Sequence, residues 1–159
     1  MPSTPLIDPT TLDFTQLAAG RTQIDARLKQ RGRFSLVDGV LAQKPDSKVI
    51  VGFKELHADD WWTTDHIPGR PIFPGVLMIE GAAQLCSFDY LVQHHEGEDV
   101  FLGFGGTNET RFRGLVVPPG RLVFAGEVRR VRKTLFTYYA QAFYADELVF
   151  ESEIMGVVV

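Results

Sequence analysis

The sequence predicts an α+β fold, a single domain whose curved, mostly antiparallel sheet wraps one long central apolar helix. Three observations carry this expectation. Val76–Val92 is the one long helical stretch, and from Val76 to Phe88 its only charged side chain is Glu80. A surface helix shows a polar face, so a helix that is apolar nearly all round has to be enclosed by protein. After Val100 the chain is almost all strand-type sequence, rich in Val, Phe, Tyr and Leu and punctuated by turn residues.

Taken in order, Met1–Thr11 is rich in Pro, Thr and Ser and reads as a loose lead-in. Asp13–Ala19 and Arg21–Arg31 read as two short helical pieces split by Gly20. Phe34–Leu41 and Lys48–Leu56 are β-type runs joined by the turn Lys44-Pro45-Asp46-Ser47. His57–Gly75 is a long connection in which Trp61 and Trp62 are expected to plug the edge of a core. After the helix, whose Gly81, Ala82 and Ala83 permit close approach of another element, His94–Asp99 reads as a polar loop. The strand runs are Val100–Gly105, Glu109–Arg113, Leu122–Lys133, Leu135–Tyr144 and Leu148–Val158. Leu122, Phe124, Gly126 and Val128 share one strand face, and Val123, Ala125, Glu127 and Arg129 the other. Residues 1–23 are read as an N-terminal extension and 24–159 as the folded domain.

The 159 residues are 45% hydrophobic and 23% charged, which excludes wholesale disorder. The net charge of −4 argues against nucleic acid as the main partner. A single cysteine, Cys86, excludes a disulfide framework and fits a reducing cytosol, so a cytoplasmic protein is expected. No uninterrupted apolar run of membrane-spanning length occurs, and the N-terminus lacks the pattern of a secretory signal. No metal-ligand spacing stands out, because His94 and His95 are adjacent and Cys86 has no second thiol. Charge is uneven: Gly105–Lys133 carries seven basic residues and two acids.

The chemistry concentrates in His66-Ile-Pro-Gly-Arg-Pro-Ile-Phe-Pro-Gly75 and the start of the helix. Three prolines and two glycines in ten residues fix an irregular loop that holds its side chains rigidly. Gly75 stands where helical N–H groups lack intrahelical partners, so its N–H is a candidate oxyanion donor. Glu80, desolvated on an apolar helix, is expected to have a raised pKa. The bland reading pairs Glu80 with one of the basic residues, and leaves His66 a hydrogen-bonded loop histidine. The sharper reading is a base, a neutral imidazole, facing an acid, the combination that elimination of water from a 3-hydroxyacyl group requires. Gln84, one turn beyond, either orients Glu80 or fills a buried polar pocket, and is grouped with Gly75 as substrate-binding. His57, His94 and His95 are expected to be solvated, and Cys86 to be inert packing.

His66-x-Pro-Gly-x-Pro-x-x-Pro-Gly75-Val-Leu-x-Ile-Glu80-x-x-x-Gln84 closely resembles the signature of β-hydroxyacyl-acyl-carrier-protein dehydratases of the hot-dog fold. Phe34-x-Leu36-Val37-Asp38 and Arg111-Phe-Arg-x-x-Val116-Val117-Pro118-x-Gly120 extend the resemblance over about residues 24 to 156. The resemblance implies His66 as catalytic base, and Glu80 as acid acting on the hydroxyl directly or through a water. It implies Gly75 N–H as donor to the thioester carbonyl, and no cofactor. It also implies a homodimer, alone or as three dimers in a hexamer, in which each site draws His66 from one subunit and Glu80 from the other.

Two departures stand out. Lys29-Gln-Arg-Gly-Arg33 replaces the family's Pro-His-Arg-Tyr-Pro run, and Asp65 replaces the Gly that often precedes the histidine. Acyl carrier proteins are acidic, so Arg111, Arg113, Arg121, Arg130, Arg132 and Lys133 are candidates for docking one, or else form a solvated face paired with this chain's own acids. The expected function is dehydration of carrier-bound 3-hydroxyacyl thioesters to trans-2-enoyl thioesters in fatty-acid or related lipid synthesis. A hot-dog thioesterase and a non-catalytic acyl-binding subunit are the alternatives.

Overall fold

The computed structural model describes residues 3–159, so Met1 and Pro2 of the lead-in lie outside it. Seven strands form one antiparallel sheet: β1 (Leu17–Ala19), β2 (Gly39–Leu41), β3 (Val49–Leu56), β4 (Leu102–Phe112), β5 (Gly120–Arg132), β6 (Leu135–Tyr144) and β7 (Glu147–Val158). Their spatial order is β1-β2-β3-β5-β6-β7-β4, which leaves β1 and β4 as the two edges. Three helices accompany them: α1 (Arg21–Arg27), α2 (Trp62–Asp65) and α3 (Gly75–His94). The expected fold class holds, with α3 lying in the curve of the sheet.

Helix α3 is long and apolar enough to cross a bilayer by length and composition alone, with a mean hydropathy of 1.2. Eleven of its residues, among them Leu77, Met78, Leu85, Phe88 and Leu91, are instead buried within the chain. Gly81 is what lets it settle on the sheet, since a Cβ there would stand 2.5 Å from Phe124 Cζ. The inner core joins the helix to Leu122, Phe124, Phe136, Tyr138, Phe150 and Ile154. The alternation read along β5 therefore holds, with Leu122 and Phe124 inward and Val123 and Ala125 outward.

The outer face is not left to solvent. Leu41, Val51, Phe53, Val123, Ala125 and Phe143 form a second core, covered by Leu6, Ile7, Leu12 and Phe14 of the N-terminal segment. The fully buried Gln141 ties this strap down, donating to Thr4 O at 3.0 Å and accepting from Leu6 N at 2.8 Å. Phe14 stacks edge-on against Phe53, and the Arg121 guanidinium lies 3.9 Å over the Phe14 ring. The lead-in expected to be loose is docked, because its apolar residues meet an apolar sheet face.

Other expectations are corrected by local chemistry. Asp13–Ala19 is not helical: Asp13 Oδ1 takes the Thr15 N–H and hydroxyl, and the chain then pairs as β1 with β2. The second helical piece ends at Arg27 rather than Arg31, because Leu28 turns extended. Phe34–Asp38 does not join a strand, since the Phe34 carbonyl and Leu36 N–H bond to the Gln84 side chain. The long connection contains the short helix α2. The two strands expected at Val100–Gly105 and Glu109–Arg113 are one, β4, with irregular register between Phe104 and Gly106 and between Asn108 and Arg111.

Candidate active site

Helix α2 and the loop that follows it hold His66 from both sides. Trp62 is buried and packs edge-on against the equally buried Phe73, with ring centroids 5.2 Å apart. Phe73 N–H donates to Val116 O, pinning the loop to the β4–β5 connection. His66 closes α2, its N–H donating to Trp62 O, and its side chain stays exposed. His66 Nδ1 lies 2.8 Å from Ile72 O. A carbonyl only accepts, so Nδ1 carries a hydrogen in this contact and Nε2 is the ring nitrogen left without a hydrogen bond among the described residues. Asp65 Oδ1 accepts the Thr64 hydroxyl at 3.0 Å, and Asp65 forms no ion pair with His66 among the described residues.

Gly75 is the first residue of α3, after Pro74. No backbone hydrogen bond of the described residues takes its N–H, which is the donor state an oxyanion site needs. The space a Cβ would fill is occupied by the Phe112 ring, 3.0 Å from the position that Cβ would take. The missing side chain thus serves packing against β4, and the N–H is left without a backbone acceptor among the described residues.

Glu80 is half-buried, and its partner is Gln84 rather than any of the basic residues. Gln84 is almost fully buried; its Oε1 accepts Leu36 N–H at 2.9 Å. Its Nε2 donates to Phe34 O at 2.8 Å and to Glu80 Oε1 at 2.9 Å. Both amide hydrogens are therefore committed, and Gln84 has no donor left for a substrate oxygen. Of the roles expected for Gln84, the structure shows the orienting one: it holds Glu80 by Oε1 and leaves Oε2 without a hydrogen bond among the described residues. Burial holds the Glu80 carboxyl above its ordinary range, opposed in part by the Gln84 hydrogen bond. An acid that must be protonated to act loses activity as pH rises through that raised value. The alkaline limb of kcat is therefore expected above the ordinary glutamate value of about 4.3. A kcat that declines already through that ordinary value would contradict it.

Glu80 lines a narrow cavity of about 50 Å³ together with Gln30, Ser87, Phe136 and Ile154. His66 is not among the residues lining it. The same side of the molecule carries edge strand β4, where Phe101, Phe104, Phe112, Leu115 and the nearby Val76 are each more than half exposed.

The basic residues divide. Arg113 holds Glu151 with two hydrogen bonds of 3.0 Å, with Arg111 at 3.9 Å, and this keeps the Glu151 carboxyl below its ordinary range. Arg121 pairs with Glu55. Arg130, Arg132 and Lys133 are exposed at the far end of β5 from Arg121, without an ion pair among the described residues. The six do not form one patch on a single chain. Burial pushes the Cys86 thiol up, as inert packing requires. His95 is not solvated as expected: it bonds to the Tyr90 hydroxyl at 3.0 Å and Glu98 at 2.9 Å beneath the end of α3. Sequence reasoning missed Gln30 beside Glu80, and the backbone groups of Phe34, Leu36 and Ile72. Backbone partners leave no signal in residue type.

The chain matches the FabA-like domain family over residues 28–153. It is similar to the 3-hydroxyacyl-acyl-carrier-protein dehydratase FabZ of Desulforamulus reducens, 36% identical over 128 residues that span 80% of this chain and 89% of that protein. Against the enzyme of the same name from Campylobacter jejuni it is 32% identical over 140 residues, 86% of this chain and 95% of the other. Among solved structures, the dehydratase heterocomplex ApeI:P from Xenorhabdus doucetiae superposes with a TM-score of 0.71 at 11% identity, covering 86% of this chain and 90% of that one. A mutant thioesterase from Pseudomonas aeruginosa gives 0.63 at 15% identity, covering 89% and 95%. At such identities these two are likenesses of fold.

Proposed function

From the premise that the chain belongs to the FabA-like dehydratase family, we propose that it eliminates water from 3-hydroxyacyl thioesters of an acyl carrier protein, giving trans-2-enoyl thioesters. The observation that carries the reading is the half-buried Glu80 held by Gln84, an acid with no cationic partner among the described residues and with its pKa pushed up by burial. A hydrolase has no need of a protonated acid beside a substrate hydroxyl, whereas dehydration requires one.

His66 Nε2 removes a proton from C2, and the negative charge developing on the thioester oxygen meets the Gly75 N–H at the positive end of α3. Glu80 delivers its proton to the C3 hydroxyl, which leaves as water. The bond electrons from C2–H become the C2–C3 double bond. His66 and the deprotonated Glu80 then exchange protons with solvent to restore the starting state.

The active unit is a homodimer that joins at β4 and sets His66 of one subunit beside Glu80 of the other. The absence of His66 from the cavity lined by Glu80 supports this, as does the exposed apolar surface around β4. The carrier docks through Arg130, Arg132 and Lys133, three of the candidate docking residues that are exposed and form no ion pair among the described residues. In the assay, carrier-bound and free 3-hydroxyacyl thioesters are compared by enoyl absorbance and by free thiol. Enoyl product without thiol supports the dehydratase; thiol release without enoyl product supports a thioesterase. Arg130→Glu with Arg132→Glu is expected to raise KM for the carrier-bound substrate alone, and equal effects on both substrates would remove the docking assignment.

A further inference from the structure

Arg130, Arg132 and Lys133 lie at the tip of the β5–β6 hairpin, and two features of the fold set how the tip presents them. The first is an irregular register in β5, between Val128 and Arg130. Strict alternation from Leu122 and Phe124 through Val128 would turn Arg130 and Arg132 toward the core. One extra residue at the bulge changes the parity. Val131 packs against the inner core instead, and Arg130, Arg132 and Lys133 stand exposed. The tip also lies near the acid: Leu135 pairs with Val157, and Val157 with Gly103, which lines the cavity beside Glu80. Two strand spacings, roughly 10 Å, separate Leu135 from that wall.

The second feature is Tyr90, a fully buried residue of α3. Its hydroxyl donates to Arg132 O and Lys133 O, each at 3.1 Å. The Lys133 carbonyl belongs to the turn Lys133-Thr134, outside the ladder of β5 with β6, and at such a tip water is the ordinary partner. The turn has one further tie, from Val158 N–H to Thr134 O at 2.9 Å. Tyr90 is itself held firmly. Its ring lies against Phe136 with centroids 4.5 Å apart, and His95 Nε2 stands 3.0 Å from the hydroxyl. The backbone that bears two of the cations is thus tied to the same helix that carries Gly75 and Glu80.

Resting on the docking assignment above, we propose that Tyr90 is a positioning residue for the carrier, its hydroxyl holding Arg132 and Lys133 where an acidic partner surface meets them. The test uses Tyr90→Phe, which keeps the stacked ring and removes only the hydroxyl. Loss of that hydrogen bond is expected to raise KM for the carrier-bound substrate about two- to tenfold. The kcat, and the KM for a free 3-hydroxyacyl thioester, are expected to stay unchanged. The Kd for the acyl carrier protein itself is measured alongside and is expected to rise with KM, a reading that needs no turnover. A second variant combines Arg130→Ala, Arg132→Ala and Lys133→Ala. It is expected to raise KM and Kd by itself, and Tyr90→Phe added to it is expected to change neither further, because residues acting as a unit do not add. Unchanged KM and Kd in Tyr90→Phe, where the triple variant raises both, overturn the positioning role and leave docking in place. Equal rises for carrier-bound and free substrates, or a full further rise on top of the triple variant, overturn it as well. A triple variant without effect overturns the docking assignment and this inference together.

Discussion

Glu80→Gln is expected to lower kcat by about 10²–10⁴-fold, the range over which a positioned acid or base contributes. The substitution keeps the shape of the side chain and removes the transferable proton. It is also expected to leave the protein no less stable at neutral pH. Burial raises the Glu80 pKa in the folded state, so the native protein binds more protons than the unfolded chain between the ordinary and the raised value. Stability therefore declines as pH rises through that window, and a glutamine carries no such penalty. Loss of turnover without loss of urea midpoint would mark Glu80 as a residue kept for chemistry at some expense of stability. His66→Ala is expected to lose activity on the same scale if Nε2 is the base as proposed, and the exposed ring contributes little to the core.

Gln84→Leu has the second largest expected effect, and it strikes both function and fold. The amide joins three groups: Glu80, the Phe34 carbonyl and the Leu36 N–H. Leucine fills similar space and leaves two backbone groups and a carboxyl without partners. Each orphaned buried group costs about 1–3 kcal/mol, so a loss of about 2–5 kcal/mol in unfolding free energy is expected. In the protein that remains folded, the carboxyl loses the hydrogen bond that lowers its pKa, and the alkaline limb of kcat moves to higher pH. A limb that stays in place would show that Gln84 does not control Glu80. A Gln84→Glu variant introduces a second carboxyl against Glu80 and is expected to shift the limb as well, by charge repulsion.

How much was legible follows from where the information sits. The lone acid on an apolar helix and the proline-fixed loop before it are local patterns, so α3, His66, Gly75 and Glu80 could be read directly. The strap could not. Leu6, Ile7, Leu12 and Phe14 lie among prolines and threonines, and only the folded sheet shows that Phe53 and Phe143 need covering. Phe34–Asp38 looked like a strand because its residue types suit one, yet a side chain forty-eight positions away takes the Leu36 N–H that a ladder would use. In β4, residues 106–108 fall between the two strands expected from residue type. The chain absorbs them as irregularities in one strand, with Gly106 and Glu109 at positive φ. The role of Gln84 hinged on backbone partners, which residue type does not encode.

In the proposed enzyme an acid and a base act on the same substrate from two chains. The most direct test co-expresses His66→Ala and Glu80→Gln, each inactive alone, and assays the mixed protein for conversion of a 3-hydroxyacyl thioester to its enoyl product. In a mixed dimer one site inherits both substitutions and the other inherits neither, and random pairing makes half the dimers mixed. Recovery of about one quarter of wild-type activity is therefore expected for a shared two-fold site. A mixture as inactive as its components would contradict the account, because it would place His66 and Glu80 in the same chain's site or outside the chemistry altogether.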